Sequence, residues 1–533
     1  MTKKRNPNKQ NTFQKLDLQK YENFFPHARK LQRHFTLILG PTNSGKTYHA
    51  LNLLKLAKNG CYLAPLRLLA LEKFIELNSQ GFPCNLVTGE EKQNTENAKL
   101  SSQTIETFNT EKPYDTIVVD EVQMLADNGR GWAWSRAIFG ANCSNIVLVG
   151  SFEAEPLIRK IIAITGDTIE VIKKERMVPL VAKTLKIDME NVPSGTAFIC
   201  FSRKKVLELK QDLESNNHKV SVVYGSLSPE ARRHQAEMFA SGKNTILIAT
   251  DAIGMGLNLP IKTMVFTTLE KFDGKEMRKL GHQEVKQIAG RAGRFGLYDE
   301  GVVTSLYYGD VKRIQESIDA EIEGLENAYV FPTFEQLELL RDNKDLGFYK
   351  VISTFFQNMK VGYGFFKTEF FNTEKEKLCK YIEKYDFTFK ERYVLLSLPF
   401  NEGQEQLLDD ILVSISFGKK ALMGSLRNTL IECSMVKPTT SKDSDLFLLE
   451  NTLKSVTLYR AAVRLFDGCE TEQAQVNGDV IEINAKIEMI LNGKQVLKKT
   501  CSQCGCALSR AYKHKTCQEC YMGQDGDIYE IKY

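Results

Sequence analysis

The sequence predicts an α/β protein: two similar lobes, each a parallel sheet covered by helices, then a helical region and a short cysteine-rich tail. Three observations lead there. Between residues 35 and 310, short apolar runs alternate with helix-period patterns, as strands joined by crossover helices do. The runs fall into two sets. "FTLILG", "GCYLAP", "CNLVTG", "YDTIVVDE" and "NIVLVGS" form the first; "TAFICFS", "VSVVYG", "TILIATD", "KTMVFTT" and "GVVTSLYY" form the second, and the break lies near "KKERMVPLVAK". Beyond 310, apolar residues recur at three- and four-residue spacing.

At 533 residues the chain is too long for one core, and 42% hydrophobic with 26% charged residues is an ordinary globular composition. A net charge of +5 disfavours nucleic-acid binding through a general excess of lysine, although a basic groove fits within such a total. No apolar run approaches the ~18 residues that suggest a membrane helix. Residues 1–30 read as a basic, partly disordered segment: "MTKKRNPNKQNTFQK" lacks the apolar stretch of a secretory signal, and its Asn and Pro suit disorder better than an amphipathic presequence.

The first lobe, 31–175, opens on "LILGPTNSGKTYHALNLL". Gly40, Pro41, Thr42, Asn43, Ser44, Gly45, Lys46 and Thr47 fit G-x-x-x-x-G-K-[ST], with a strand before and an amphipathic helix after. The loop's N–H groups cradle a β-phosphate, Lys46 reaches β/γ oxygens, and the Thr47 hydroxyl ligates Mg²⁺, so ATP with Mg²⁺ is the expected ligand. In "YDTIVVDEVQ", Asp120 and Glu121 end an apolar strand in a Walker B arrangement. Asp120 holds Mg²⁺ through water, and Glu121 orients and deprotonates the attacking water. Gln123 follows where an Asp or His is common, able to hydrogen-bond across a cleft but not to carry charge.

The second lobe, 176–310, carries "QIAGRAGRFG". The spacing predicts Gln287, Arg291 and Arg294 on one helix, both arginines on one face and aimed across the cleft at the γ-phosphate, with glycines keeping the surface bare for close approach. "TTLEKFDGKEMRKLGHQEVKQ" contains the turn signal Asp273-Gly274 and predicts a β-hairpin. The region 311–495 reads as helical, with "PTTSKDS" as a loop. In the tail, 496–533, Cys501, Cys504, Cys517 and Cys520 form two C-x-x-C knuckles suited to one structural Zn²⁺, with Cys506 or His514 as substitutes for one of the four.

Taken in order, "GPTNSGKT", "APLRLLALE", "TIE", "DEVQM", "ATDAIGMGLNLP" and "QIAGRAGR" resemble the superfamily-two helicases, and within them the suppressor-of-Var (Suv-type) RNA helicases of the mitochondrial degradosome, as a bacterial-like member. The resemblance is strong over 35–310 and weak through "LENTLKSVTLYRAAVRLF". It implies two RecA-like domains and an ATP-dependent RNA helicase running 3′ to 5′. It adds Gly256 and Asn258 to the nucleotide site and makes the hairpin a strand-separating wedge. It also places Pro65, Arg67, Thr104, Ser202, Arg203 and Thr250 on a nucleic-acid path, where hydroxyls, amides and basic groups meet backbone phosphates without reading sequence. The coupling loop "VGSFEAEPLIRKI", with Gly150, Ser151 and Glu153, departs from the family pattern. A DNA or RNA/DNA helicase, and an ATP-gated RNA clamp that recruits a nuclease, are the alternatives. The expected partners are a tailed RNA duplex and an exoribonuclease, with no membrane. Seven scattered cysteines fit a reducing compartment, read as the bacterial-type cytoplasm, with the mitochondrial matrix as alternative.

Overall fold

The computed structural model describes residues 20–89, 91–254, 259–273, 276–341, 346–358, 364–416, 442–465 and 470–491. Two units are distinguished, 1–377 and 378–533.

In the first unit two sheets follow one another. The first comprises β1 (His34–Leu39), β2 (Gly60–Ala64), β3 (Cys84–Val87), β4 (Lys92–Gln93), β5 (Leu100–Thr104), β6 (Tyr114–Val119), β7 (Cys143–Gly150) and β8 (Thr168–Lys173), in the order β4-β3-β5-β2-β6-β7-β1-β8. All pairings are parallel except β3 with β4. The second comprises β9 (Leu180–Ala182), β10 (Thr196–Ile199), β11 (Val220–Val223), β12 (Ile246–Ala249), β13 (Thr263–Phe266) and β16 (Gly301–Ser305), all parallel in the order β11-β12-β10-β13-β16-β9. Between β13 and β16, β14 (Glu270–Phe272) and β15 (Met277–Lys279) form the expected antiparallel hairpin.

Parallel strands covered by helices on both faces read as nearly continuous apolar runs, which is why ten of these strands stand out in the sequence. One central strand does not. β5 is "LSSQT", polar yet buried, and it survives because its polar groups are bonded internally. Ser102 Oγ donates to the Ala70 carbonyl at 2.6 Å, and Gln103 Nε2 donates to Ser101 Oγ at 2.9 Å. Each lobe has its own core. Leu51, Leu54, Leu77, Val118 and Val149 lie in the first, and Phe239, Leu247, Phe266, Ile288 and Val303 in the second.

Residues 20–30 depart from the expected disorder. A 3-10 turn, Tyr21–Phe24, and a helical turn, Pro26–Arg29, seat Tyr21, Phe25 and Ala28 in the first lobe's core, with Tyr21 edge-on to Phe139. Arg33, 2% exposed, then anchors this segment. Its guanidinium meets Asp167 at 2.5 and 3.1 Å and donates to the Ile138 and Phe139 carbonyls at 2.9 and 3.2 Å, at a helix C-terminus.

The region after 310 is helical at Asp310–Asp319, Phe334–Leu340 and Phe348–Asn358, but it also holds a two-residue strand pair, Ala328–Tyr329 with Phe366–Lys367. This stretch returns to the first lobe. Ser135 Oγ donates to the Tyr329 carbonyl at 2.7 Å, and Lys375 Nζ lies over the Trp132 and Phe331 rings. The second unit contains helices Phe389–Leu395 and Glu405–Ser416 and two long ones, Lys442–Arg464 and Glu470–Leu491, which pack on each other. The "PTTSKDS" loop lies mostly outside the described residues. No helix among the described residues is long and apolar enough to cross a membrane.

Removing the Asp167 carboxylate strands a buried guanidinium. Asp167→Ala is expected to destabilise the first lobe by about 3–5 kcal/mol, measured as a lowered urea midpoint, whereas replacing an exposed acid such as Glu170 moves it little.

Candidate nucleotide and nucleic-acid site

All the motif-bearing loops of the first sheet, and two of the second, leave the carboxyl end of a parallel strand, the edge where open α/β sheets bind ligands; the arginine turn instead follows helix His282–Ala289 and leads into β16. The phosphate loop follows β1, Pro65 follows β2, Thr104 ends β5, Asp120 follows β6 and Gly150 ends β7. In the second sheet Ser202 and Arg203 follow β10, and Thr250 follows β12.

The phosphate loop requires its glycines. A Cβ on Gly40 would lie 2.6 Å from Ser44 Oγ and 2.8 Å from the Lys174 carbonyl, and Gly45 takes φ +74° as it caps helix Lys46–Lys55. Lys46 Nζ donates to the Pro41 carbonyl across the loop at 3.1 Å. Thr47 Oγ1 lies 3.4 Å from Asp120 Oδ2, so the two candidate Mg²⁺ ligands are adjacent. A hydroxyl and a carboxylate are the hard donors that Mg²⁺ takes while keeping most of its water. Asp120 is 2% exposed, and Tyr62 OH donates to its Oδ2 at 2.6 Å. Burial, then the neighbouring Glu121 charge, push its carboxyl up to about 6. Burial and Asp120 likewise push the Tyr62 phenol well above its ordinary range.

Glu121 stands at φ 52°, ψ 51°, a left-handed conformation costing a non-glycine residue about 1–3 kcal/mol. Its carboxylate accepts from Gln123 Nε2, and the Gln123 carbonyl accepts from the Ser151 N–H at 3.3 Å. Gln123 therefore bonds inside the first lobe, to the loop after β7, rather than across the cleft as the sequence suggested. Gly150 leaves room for it, since a Cβ there would meet Val122 at 2.6 Å and Gln123 Oε1 at 2.9 Å. The cross-cleft bond comes from Glu153, which accepts from Gln283 Nε2 at 3.1 Å.

The two arginines do not share a helix. Helix His282–Ala289 carries Gln287 and ends before them, so Arg291 and Arg294 lie in the following turn, where Gly293 takes φ +73°. Gly293 needs that freedom because a Cβ would lie 2.7 Å from Gly301 backbone. The tight turn separates the side chains. Arg291 donates to the Gly254 carbonyl; burial lowers its pKa, opposed by the charges of Glu121, Glu72 and Asp120, so it lies within the electrostatic reach of the Walker B acids. Arg294 instead lines a cavity of about 260 Å³ with Leu68, Glu72, Arg233 and Ala236. Gln287 lies beside Gly254, while Gly256 and Asn258 lie outside the described residues.

On the expected nucleic-acid path, Arg67 is engaged by Glu230 of the second lobe at 3.0 Å and by Glu91 at 3.7 Å. Ser202 caps helix Arg203–Ser215, its Oγ accepting from the Lys205 N–H at 3.2 Å, and Thr250 Oγ1 accepts from the Ala252 N–H at 3.3 Å. Thr104 is buried. Arg130, which sequence reasoning passed over, donates to the Pro65 carbonyl and pairs with Glu106 at 2.6 Å, joining the loops after β2 and β5. Tyr62 was also missed; a tyrosine in an otherwise apolar buried strand, whose hydroxyl needs a partner, was the available signal. The four tail cysteines, 501, 504, 517 and 520, lie outside the described residues. Among the described residues no three His, Cys, Asp or Glu side chains group as a metal site.

Residues 21–174 match the family described as "DEXQ-box helicase domain of Suv3", and 179–296 match "Helicase conserved C-terminal domain". The chain is 36% identical to DExH-box ATP-dependent RNA helicase DExH16, mitochondrial, of Arabidopsis thaliana, over 91% of this chain and 85% of that protein. It is 37% identical to ATP-dependent RNA helicase SUV3L, mitochondrial, of Oryza sativa subsp. japonica, over 82% of this chain and 60% of that one. With SUV3, mitochondrial, of Saccharomyces cerevisiae the identity is 40% over 60% of this chain and 45% of that protein. The chain thus spans about 60% of the rice relative's length. All three relatives are mitochondrial by name, which overturns the expected bacterial-type cytoplasmic location.

The Asp120 shift has a definite pH consequence. Its folded pKa, about 6, exceeds the ordinary value of 3.8, so the fold binds more protons than the unfolded chain between those values and stability falls as pH rises through that window. In metal-free buffer the wild type should gain thermal stability relative to Asp120→Asn as pH drops from 7 toward about 4. A difference that does not vary with pH refutes the shift.

Proposed function

We propose that this chain, which belongs to the Suv3 family of DEXQ-box helicases, is an ATP-dependent RNA helicase that opens structured RNA, tracking 3′ to 5′. One observation carries the reading: the nucleotide chemistry is divided between two sheets. Lys46, Thr47, Asp120 and Glu121 belong to the first and Arg291 to the second, so a full site requires the two together. Two further features support it. Candidate backbone contacts line the carboxyl edges of both sheets, and the relatives above are named RNA helicases.

In this reading Lys46 and the loop amides bind the β- and γ-phosphates. Thr47 and Asp120 would hold a Mg²⁺, which would supply charge neutralisation on the phosphate oxygens. Glu121, fixed by its backbone and by Gln123, accepts the proton of the attacking water, and Arg291 stabilises the charge that develops on the γ-phosphoryl group. Arg294 has a different place, on the wall between helices Arg67–Ser79 and Pro229–Ala240, where it senses the approach of the lobes. The hairpin serves as the wedge. Phe272 and Met277 pair across it, both exposed, while Glu284 pins its base through Arg278 at 2.7 and 3.0 Å and through Lys271 at 2.5 Å.

Glu121→Gln is expected to keep ATP binding and lose turnover by about 10²–10⁴-fold, because only water activation is removed. In a strand-displacement assay the wild type should open 3′-tailed RNA duplexes in preference to 5′-tailed ones. RNA-stimulated hydrolysis without displacement would instead favour a clamp, and equal action on matched DNA would remove the RNA assignment. We assign the chain to mitochondria, as its named relatives are. The helical second unit and the tail, which carry no ATP motif, are the parts we assign to an exoribonuclease partner.

We also propose one Zn²⁺ in the tail, held by Cys501, Cys504, Cys517 and Cys520, on the strength of the paired C-x-x-C spacing. Elemental analysis after zinc supplementation should find about one equivalent per chain, lost on replacing Cys501 and Cys504, with ATPase retained. A content below about one-tenth equivalent rejects the site.

A further inference from the structure

The segment between the two sheets, Lys174–Pro179, contains an arginine that pairs with no carboxylate among the described residues. Arg176 is half-buried, and all its bonds go to backbone carbonyls. Nη1 donates to Thr42 in the phosphate loop at 2.9 Å and to Gly290 in the arginine turn at 2.8 Å; Nη2 donates to Ala292; Nε donates to Val178 of its own segment at 2.7 Å. Burial pushes its pKa down to about 10, so it stays charged near neutrality. A partly buried cation without a counter-ion is costly, and a guanidinium is retained in such a place because its planar fork matches several acceptors at once. The acceptors suit it: Gly290 follows the C-terminus of helix His282–Ala289, where unpaired carbonyls carry partial negative charge.

The same contact is reinforced from the phosphate loop. Asn43, at φ 62°, donates toward the carbonyls of Gly290, Ala292 and Gly293 at 3.3 to 3.5 Å, and its own carbonyl accepts from the Met177 N–H at 3.2 Å. The fit is close, since a Cβ on Gly290 would lie 3.2 Å from the Thr42 side chain. Phosphate loop, linker and arginine turn thus form one hydrogen-bonded knot, with Arg176 bonded to all three parts.

We propose that Arg176 is a positioning residue for ATP hydrolysis: by gripping the carbonyls of Thr42, Gly290 and Ala292, it sets the turn that presents Arg291 in register with the phosphate loop. The inference rests on the ATPase reading above. Arg176 acts through Arg291, so its loss falls on the rate of the chemical step and spares nucleotide affinity. Misplacing a catalytic group by about 1 Å costs on the order of 10²-fold.

The test compares full-length wild type, Arg176→Ala and Arg176→Lys for steady-state ATPase with and without single-stranded RNA, and for affinity of a fluorescent ADP analogue. Arg176→Ala should lose about 10- to 100-fold in RNA-stimulated kcat while its ADP Kd stays within about twofold. Arg176→Lys, which keeps charge but not the fork, should recover only a small part of that rate, whereas free guanidinium ion at millimolar concentration should restore turnover to the alanine variant and not to Glu121→Gln. If the alanine variant folds poorly, the lysine variant carries the kcat comparison. Wild-type kcat in either variant overturns the proposal. So does a Kd that weakens in proportion to the lost rate, which would make Arg176 a nucleotide-binding residue. A wild type without RNA-stimulated ATPase refutes the helicase reading itself, a different result from an active wild type matched by its variants.

Discussion

The contact between the phosphate loop and the turn at Gly290–Gly293 is the constraint on which the rest of the first unit depends. The phosphate loop leaves the carboxyl end of β1, whereas the arginine turn follows helix His282–Ala289 and packs on the start of β16, and the fold must bring the two together at hydrogen-bonding precision. Carbonyls of the turn meet Asn43 and Arg176, Gly290 leaves room for the Thr42 side chain, and Gly293 lets the turn pack on Gly301 of its own lobe. Bulky side chains on either surface would hold the two apart, leaving Arg291 too far from Asp120 and Glu121 to feel their charge.

That constraint explains which parts of the site were legible in the sequence. The placement of Lys46, Thr47, Asp120 and Glu121 was, because each owes its position to a local pattern of strand, tight turn and fixed spacing. Arg176 was not, since nothing in "KKERMVPL" distinguishes an arginine that grips three carbonyls from one that sits in water. The supposed shared face of Arg291 and Arg294 failed for a related reason. Helical spacing was read past Ala289, whereas Gly293 packs on Gly301 and takes a left-handed φ no helix contains. Ten strands were legible because burial on both faces leaves a run of apolar residues. β5 was not, because its burial is made tolerable by Ser and Gln side chains that bond to one another and to neighbouring backbone.

Buried polar groups recur where the fold must be unambiguous. Asp120 is fixed by Tyr62, Glu121 by Gln123, and Gln123 by the Ser151 N–H, a series running from the candidate Mg²⁺ ligand to the loop after β7. Two residues beyond Ser151, Glu153 reaches Gln283 on the helix that leads into the arginine turn. Replacing any member with an apolar residue leaves its neighbour's polar atom without its partner, so each position constrains the next. The loop "VGSFEAEP" is thus connected to Gln123 on one side and, through a carboxylate–amide bond, to the second lobe on the other.

The path of the chain limits how the lobes can move. It passes from β8 to β9 through Lys174–Pro179, and after helix Asp310–Asp319 it returns to the first lobe through residues 320–327. The return is also fastened at both sides: Lys286 Nζ donates to the Ala320 carbonyl at 2.7 Å, and the Leu325 N–H donates to the Glu153 carbonyl at 2.8 Å. The second lobe is thus held at two crossings, one beside the phosphate loop and one beside Glu153. Separation of the lobes would have to break both, together with the Arg67–Glu230 pair. Both crossings touch helix His282–Ala289 or the turn that follows it. The turn that carries Arg291 is therefore held against the phosphate loop at one crossing, and the hairpin is pinned to the same helix through Glu284.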